Sequence, residues 1–463
     1  MSITAAYIVP HPPLILSEIG RGEEKKIQNT INSMRETAAE IAESRPDTIV
    51  VLSPHSVMYA DYIHISPGES ATGDMSQFRA PQIKMDIAYD TDFVNMLEGA
   101  TRQNGIPAGT QGERESTLDH ATMIPLLFIN EKYTDYKVVR AAPGGVSYDQ
   151  LYSFGKAIKE TAEKSHKKTV IIASGDLSHK LQDDGPYGFV KEGPEFDTQI
   201  CRAIRIGDFS MLMDIDPAFE EKAADCGLRA FIIMAGTLDK TAVDSKLLSY
   251  EGPFGVGYAV GRFIPISSDT TKDYLEKYFN TKNEKMNDLR VSEGEYVKLA
   301  RNTVEELAKT HREYAPDHEL PESMKNEKAG VFVSIKKDGN LRGCIGTTGP
   351  VTENVGKEII RNAISASSED PRFPPVKASE LDHLTYSVDV LRPPEDIPDK
   401  SMLDTKKYGV IVSLGYKRGL LLPNLDGINS VDEQIRIAMS KAGILPSDID
   451  RISLQRFEVV RHY

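Results

Sequence analysis

The sequence has little cysteine, with three in 463 residues: Cys201, Cys226 and Cys344. Three widely spaced thiols cannot form a disulfide framework, so they suit a reducing cytoplasm and are candidates for metal ligands or reactive nucleophiles. The sequence also lacks any run of about 18 apolar residues, which predicts no transmembrane helix. The N-terminal segment lacks the basic region of a signal peptide. We therefore expect a cytoplasmic protein without a membrane partner.

Positive charge is scarce in the first part of the chain. The residues before position 281 include 28 basic and 40 acidic side chains, a net charge of −12, whereas the remainder carries −2. Excess negative charge opposes binding to phosphate backbones. We therefore expect no nucleic-acid partner for the N-terminal domain.

The pattern of apolar residues predicts two domains that differ in fold class. Short apolar runs that alternate with helix-like segments predict an α/β domain with a mostly parallel central sheet. The predicted strands cover residues 5–9, 48–52, 137–141 and 170–173, with helices at 24–43 and 150–164. A polar, charged stretch at 269–288 predicts a linker or an exposed helix. The expected domains are therefore residues 1–268 and 289–463.

Hairpin patterns predict that the second domain is a smaller α+β fold with an antiparallel sheet. A KDGN turn separates two apolar runs at 329–335 and 341–345, and residues 384–390 alternate as a half-buried strand does. Helices are expected at 351–367 and 431–442. Another helix is expected to begin near Ser292, with Glu295 completing a capping box.

Three histidines follow predicted strands directly: His11, His55 and His179. A fourth, His120, precedes an apolar run. Ligands of open α/β sheets bind outside the carboxyl ends of the strands, so these imidazoles are expected to converge. Imidazole is both a common metal ligand and an acid/base group at physiological pH. Two histidines and one anionic ligand would leave open positions on Fe(II) for O2 and a chelating substrate.

The motifs around these histidines resemble a known family. HPPLIL (11–16), SPH (53–55), LDHATMIPL (118–126) and SGDLSH (174–179) are similar to those of class III extradiol ring-cleavage dioxygenases of LigB type and their relative Memo. The resemblance implies that His11 and His55 bind a non-heme iron. It further implies that His179 acts as acid/base and that His120 contributes to the substrate pocket.

The residue at the position of the third ligand differs from that of the dioxygenases, which use a glutamate. The matching stretch here, AADCGLRAFIIMAGTLD, offers Asp225 and Cys226, and Memo-like proteins have a Cys-Gly pair at this position. We expect Cys226 to be the ligand, with Asp225 and Glu251 as alternatives. A thiolate is softer than a carboxylate and favours Fe(II), Cu(I) or Zn. Fe(II) is the expected cofactor, with copper or zinc as alternatives.

Cys344 lies between glycines in the second domain, close to Arg342, and Asp370 and Arg372 share a later proline-rich turn. Such a cysteine could be a nucleophile, a redox thiol or part of an anion pocket, or else a hairpin residue beside a structural Asp370–Arg372 ion pair. The motifs LRGCIGT (341–347), EDPRFPPV (369–376) and GVIVSLGYKRGLLLPNL (409–425) resemble the AMMECR family. That resemblance implies an α+β fold and a pocket that includes these four residues.

A LigB/Memo-like domain fused to an AMMECR-like domain resembles a component of the AmmeMemoRadiSam system. This resemblance implies a radical S-adenosylmethionine protein as a pathway partner. The chain itself lacks the C-x3-C-x2-C motif of such a protein. The expected function is a metal-dependent oxidoreductase that acts on a small catechol-like or enediol-like substrate. The alternatives are a Memo-like, non-catalytic scaffold that binds a metal or ligand, and chemistry carried by Cys344.

Overall fold

The computed structural model describes residues 2–112, 114, 117–316, 319–425 and 427–463. The chain divides into two compact units, Met1–Thr281 and Lys282–Tyr463. Within the described residues, no helix combines the length and apolar character needed to cross a bilayer.

The N-terminal unit is an α/β structure. Its strands are β1 (Ile3–Val9), β2 (Thr48–Leu52), β3 (Ile63–Ile65), β4 (Ser70–Met75), β5 (Ala80–Ala88), β6 (Ala108–Gly109), β7 (Lys137–Ala142), β8 (Thr169–Ser174), β9 (Thr241–Glu251) and β10 (Tyr258–Ser268). Its helices are α1 (Ser17–Gly20), α2 (Gln28–Ser44), α3 (Thr91–Gln103), α4 (His120–Asn130), α5 (Tyr148–Ser165), α6 (Glu192–Ile206), α7 (Ser210–Met213), α8 (Pro217–Ala223), α9 (Leu228–Thr237) and α10 (Tyr274–Ser292), the last of which continues into the second unit.

The main sheet of this unit has the strand order β6–β3–β7–β2–β8–β1–β10–β9. Its centre is parallel, because β7, β2, β8 and β1 pair in parallel. Strand β10 runs antiparallel to β1 and β9 antiparallel to β10. The predicted α/β class with a mostly parallel sheet is therefore confirmed.

Strand β2 shows why this sheet forms. Ile49 and Val51 belong to the apolar core on one face, while Val50 and Leu52 belong to the core on the other. All four side chains are fully buried. A continuous apolar run of this kind is typical of a parallel strand that helices cover on both faces.

The order β2–β8–β1 places three carboxyl strand ends side by side. The segments that follow these strands contain His55, His179 and His11 respectively. The topology thus delivers the three histidines to one edge of the sheet.

The C-terminal unit is α+β, as predicted. Its antiparallel sheets have the orders β12–β11–β13–β18 and β14–β17–β15–β16. The strands are β11 (Val331–Lys337), β12 (Asn340–Gly346), β13 (Leu384–Leu391), β14 (Glu395–Ile397), β15 (Gly409–Leu414), β16 (Lys417–Leu421), β17 (Ser453–Phe457) and β18 (Val459–His462). The helices are α11 (Glu295–Thr310), α12 (Glu322–Asn326), α13 (Val355–Ser368) and α14 (Val431–Lys441).

Local turn chemistry accounts for one predicted hairpin and corrects one predicted cap. The β11–β12 turn holds Asp338 and Gly339 at φ 48° and 83°, as a two-residue hairpin requires. The capping box at Ser292 was wrong. The Ser292 hydroxyl donates to the Leu289 carbonyl inside α10, and α11 begins only at Glu295.

Candidate metal centre

Three candidate ligands meet at the carboxyl edge of the sheet. His11 follows β1, His55 follows β2, and Cys226 lies just before α9. One ligand atom from each of these residues lies within 4.8 Å of the others. The Cys226 Sγ and the His11 Nε2 are 3.5 Å apart. A buried imidazole, an exposed imidazole and a partly buried thiol therefore surround one point.

Hydrogen bonding fixes which nitrogen of His11 carries its proton. The Ser174 hydroxyl donates to the Ala121 carbonyl at 2.7 Å and lies 3.0 Å from the His11 Nδ1. Because a hydroxyl has one proton, Ser174 must accept from Nδ1–H. The lone pair of His11 is then on Nε2, the nitrogen that faces Cys226.

We expect Ser174→Ala to weaken metal binding about 10–100-fold, the range typical of lost outer-shell partners. Without the serine, nothing at this position holds the imidazole in the required tautomer. Isothermal titration of the anaerobic apoprotein with a divalent metal measures the change. Ser165→Ala, at the end of α5, is a matched control that should leave the affinity unchanged. Equal affinities for Ser174→Ala and the wild type would contradict the tautomer argument.

The segment after β8 holds Cys226 and His11 together. The Asp176 amide donates to the Cys226 Sγ at 3.3 Å, and one carboxylate oxygen of Asp176 accepts from the His11 amide at 2.9 Å. Gly175 and Gly227 contact each other in this arrangement. A Cβ on Gly175 would lie 2.2 Å from the Gly227 Cα, so a side chain there would push Cys226 away.

Burial sets the charge state of the groups at this edge. It lowers the pKa of His11 well below its usual value, and neighbouring imidazoles lower it further. Burial also lowers the pKa of His120 and of His179 to about 4. The pKa of Cys226 is raised, mainly by burial and then by neighbouring carboxylates. The imidazoles are therefore neutral at pH 7 and hold lone pairs for a metal or a proton.

The two alternative third ligands each accept hydrogen bonds from other residues, and neither is grouped with the two histidines. One carboxylate oxygen of Asp225 accepts from the amides of Gly227 and Leu228 at 2.8 and 2.6 Å, at the start of α9. Glu251, on β9, accepts from the amide and hydroxyl of Thr30, both at 2.7 Å. The structure thus brings neither carboxylate, but Cys226, to the two histidines.

Aromatic side chains border the two remaining histidines. The His120 ring stacks on that of His55 at 4.5 Å and contacts Phe78 edge-on at 5.2 Å. The His179 ring stacks on the exposed Tyr187 at 5.3 Å. The buried Nε2 of His179 has no hydrogen-bond partner among the described residues. Sequence reasoning missed Phe78 and Tyr187, because neither belongs to a recognisable motif.

Asp119 connects the segment that holds His55 to helix α4. It accepts from the Ser53 hydroxyl at 2.6 Å and from the Thr122 amide and hydroxyl at 2.9 and 2.8 Å. The buried guanidinium of Arg140 lies 3.7 Å away. Sequence reasoning also missed this network, which fixes His120 as the first residue of α4.

In the C-terminal unit, three of the four predicted pocket residues converge. Asp370 accepts from the Cys344 amide at 2.9 Å and pairs with the Arg372 guanidinium at 2.7 Å. Arg372 also donates to the Cys344 carbonyl at 3.0 Å. The Arg372 hydrogen bonds hold the pKa of Asp370 far below its usual value.

Arg342 is directed to a different partner. Its guanidinium pairs with Glu380 through two contacts of 3.0 Å. The Phe373 ring lies within 6 Å of both the Arg342 and the Arg372 guanidinium groups. The guanidinium that accompanies Cys344 is thus that of Arg372, because Glu380 engages Arg342.

Comparison with known proteins identifies both halves of the chain. The family model described as the catalytic LigB subunit of aromatic ring-opening dioxygenase matches residues 5–261, more than half of the chain. The chain belongs to the LigB family. The AMMECR1 model matches residues 297–462, so a LigB domain precedes an AMMECR1 domain.

Relatives match either the whole chain or a part of it. Protein CA_C1420 of Clostridium acetobutylicum is 40% identical over 471 residues, covering 100% of this chain and 99% of its own. A Thermotoga maritima protein is 48% identical over 173 residues, covering 37% of this chain and 99% of its own. The crystal structure of PH0010 from Pyrococcus horikoshii is 34% identical, with a TM-score of 0.34, and the match covers 36% of this chain and 88% of that one.

Proposed function

We propose that the LigB domain is a non-heme metal-dependent oxidoreductase whose small substrate chelates the metal through two oxygens, as a catechol or an enediol can. The observation that carries this proposal is the approach of His11, His55 and Cys226 to within 4.8 Å. Fe(II) is the proposed metal, with copper or zinc as alternatives.

The donor set fits such a metal. Two neutral imidazoles and a thiol supply three ligand atoms, and a thiol that coordinates a cation is deprotonated. The Ser174 hydroxyl directs the proton of His11 away from the centre, as a ligating imidazole requires. When bound, the metal would supply Lewis acidity that lowers the pKa of a chelating hydroxyl.

The side chains around the centre have separate roles in this proposal. His179 accepts a proton from the substrate hydroxyl, because its Nε2 has no partner and its lowered pKa keeps it neutral at pH 7. His120 orients the substrate beside His55, on which it stacks. Phe78 and Tyr187 supply aromatic surface for a planar substrate.

The thiol of Cys226 separates this centre from one with a carboxylate ligand. A thiolate is softer and donates more electron density to the metal than a carboxylate does. The proposal is therefore oxidoreductase chemistry on a chelating substrate, a class that includes ring cleavage and other oxidations.

The order of the two domains supports a pathway proposal. We infer that the chain acts in the AmmeMemoRadiSam system, where a radical S-adenosylmethionine protein would supply its substrate or consume its product. Deleting the gene for the protein that makes the shared intermediate should then remove that metabolite. Deleting the gene for the protein that consumes it should make the same metabolite accumulate. Unrelated metabolite changes in the two deletion strains would contradict this inference.

Oxygen uptake tests the proposed activity. The full-length protein is reconstituted with Fe(II) without oxygen, then mixed with O2 and a panel of catechols and enediols. Uptake that depends on both metal and substrate, with an oxidised product, would support the proposal. Protein that binds metal yet consumes no oxygen with any member of the panel would favour the non-catalytic scaffold.

A further inference from the structure

A buried carboxylate from a neighbouring helix holds the segment that carries His179. Asp197, on α6, is only 2% exposed. One of its oxygens accepts from the Ser178 amide at 2.8 Å, and the other accepts from the Tyr250 hydroxyl at 2.7 Å. Asp197 therefore connects the residue before His179 to strand β9, which contains Tyr250.

The protonation states of these groups match their hydrogen bonds. Burial raises the pKa of Asp197 to about 6, while the bonds from Tyr250 and Ser178 oppose that rise, so the carboxylate is ionised at pH 7. Burial and the charge of Asp197 raise the pKa of Tyr250, which keeps its hydroxyl protonated as a donor. Hydrogen bonds to an ionised acceptor are stronger than those between neutral groups.

The other polar groups of Ser178 also have partners. Its hydroxyl donates to the Ala223 carbonyl at 2.7 Å and accepts from the Lys180 amide at 3.0 Å. Its carbonyl accepts from the Gly257 amide at 2.9 Å. A Cβ on Gly257 would lie 2.1 Å from a carboxylate oxygen of Asp197, so the backbone there is in close contact with the carboxylate. The peptide at Ser178 is therefore fixed on several sides, and Asp197 supplies the ionised partner.

The imidazole of His179 has less support than the backbone before it. Its Nε2 has no hydrogen-bond partner among the described residues, and its ring stacks on the exposed Tyr187 at 5.3 Å. Because no hydrogen bond directs that nitrogen, its direction depends on the preceding backbone. A base must lie within hydrogen-bond reach of the proton that it accepts, so a small shift of this backbone would misplace His179.

We propose that Asp197 is a positioning residue, which sets the direction of the His179 imidazole through the hydrogen bond from the Ser178 amide. The inference rests on the proposed function, in which His179 accepts a proton from the substrate. The pKa of His179 is lowered by burial and then by His55, which indicates that Asp197 acts through the peptide and not through its charge.

Two variants of the full-length protein isolate the Ser178 bond. Tyr250→Phe removes the hydroxyl, and the double variant Tyr250→Phe/Asp197→Leu also removes the carboxylate while it fills the space with a side chain of similar size. We expect kcat of the double variant to be about 10–100-fold below that of Tyr250→Phe, the scale of a misplaced catalytic group. Oxygen uptake by the Fe(II)-reconstituted protein measures it. KM and metal content should be equal in the two variants, because the three grouped ligands are unchanged.

Asp197→Asn separates the hydrogen bond from the charge. Asparagine can accept from the Ser178 amide and donate to the Tyr250 oxygen, so this variant should keep the wild-type kcat. Tyr152→Phe/Asp239→Leu is the matched control. The buried Asp239, between α9 and β9, accepts from the Tyr152 hydroxyl at 2.8 Å. The control should change thermal stability but not kcat.

Deuterium exchange at the C2 carbon of His179 tests the inference without turnover. Exchange rates measured against pH by peptide mass spectrometry give the pKa of this histidine, which burial lowers to about 4. A ring that is released by loss of the Asp197 bond becomes better hydrated, so its pKa should rise toward the ordinary value in the double variant. The exposed His166 serves as the internal reference.

The outcomes separate this inference from the proposed function. A lower kcat and a raised His179 pKa in the double variant, with both retained in Asp197→Asn, would support the inference. Equal values in Tyr250→Phe and the double variant would overturn it and leave the proposed function intact. If the double variant does not fold, Asp197→Ser, whose side chain is too short to reach the Ser178 amide, gives the same comparison. Wild-type protein without oxygen uptake would contradict the proposed function, and the exchange experiment would then decide the inference alone.

Discussion

Cys226→Ala is expected to lower the metal affinity of the LigB domain by more than about 100-fold, since changes outside the ligand shell alone cost roughly 10–100-fold. The variant removes the anionic member of the ligand set and leaves two neutral imidazoles. Anaerobic titration with Fe(II) and with Zn(II) measures the loss. Cys201→Ala is the matched control, because Cys201 is buried in α6 and is not among the three grouped ligands.

Cys226→Glu extends this test by restoring the ligand type of the dioxygenases. A carboxylate keeps the negative charge but is harder than a thiolate, so affinity for Cu(I) should fall further than affinity for Fe(II). Cys226→Ala protein that binds metal as tightly as the wild type would show that the thiol is not a ligand.

His179→Gln is expected to lower turnover roughly 10²–10⁴-fold, the usual contribution of a general acid or base. Glutamine can form hydrogen bonds but cannot accept a proton at neutral pH. Steady-state oxygen uptake and metal analysis on the same preparation separate the two effects. We expect metal content to stay at the wild-type level, because His179 is not among the three grouped ligands.

A histidine outside the candidate site serves as the control for His179→Gln. His166 ends α5 with a left-handed backbone, a conformation that asparagine also tolerates. His166→Asn should leave turnover unchanged. Full activity in His179→Gln would remove His179 from the mechanism, and loss of metal would make it a ligand instead.

The approach of the histidines could be predicted because it follows from topology. Continuous apolar runs mark β1, β2 and β8 as buried parallel strands, and the residues that follow such strands share one edge. The placement of His11, His55 and His179 at this edge could therefore be predicted from the sequence alone. The partners that tune them were not predictable, because Ser174 reaches the His11 ring across 163 positions through the fold.

The choice between adjacent residues also needed the structure. The sequence leaves Asp225 and Cys226 as alternatives, because both precede α9. In the structure one Asp225 carboxylate oxygen accepts from the amides of Gly227 and Leu228, and the Cys226 thiol is the group that faces His11. A similar ambiguity at Ser292 misled the sequence analysis. A serine near a helix boundary fits a cap, but here its hydroxyl bonds back into α10.

Metal analysis of the wild-type protein, purified without oxygen, tests the central claim most directly. The claim is that His11, His55 and Cys226 form one metal centre. We predict about one equivalent of iron or copper per chain, since a three-ligand site of this type binds one ion. Protein that is metal-free as purified, and that takes up no iron, copper or zinc on reconstitution, would contradict the account.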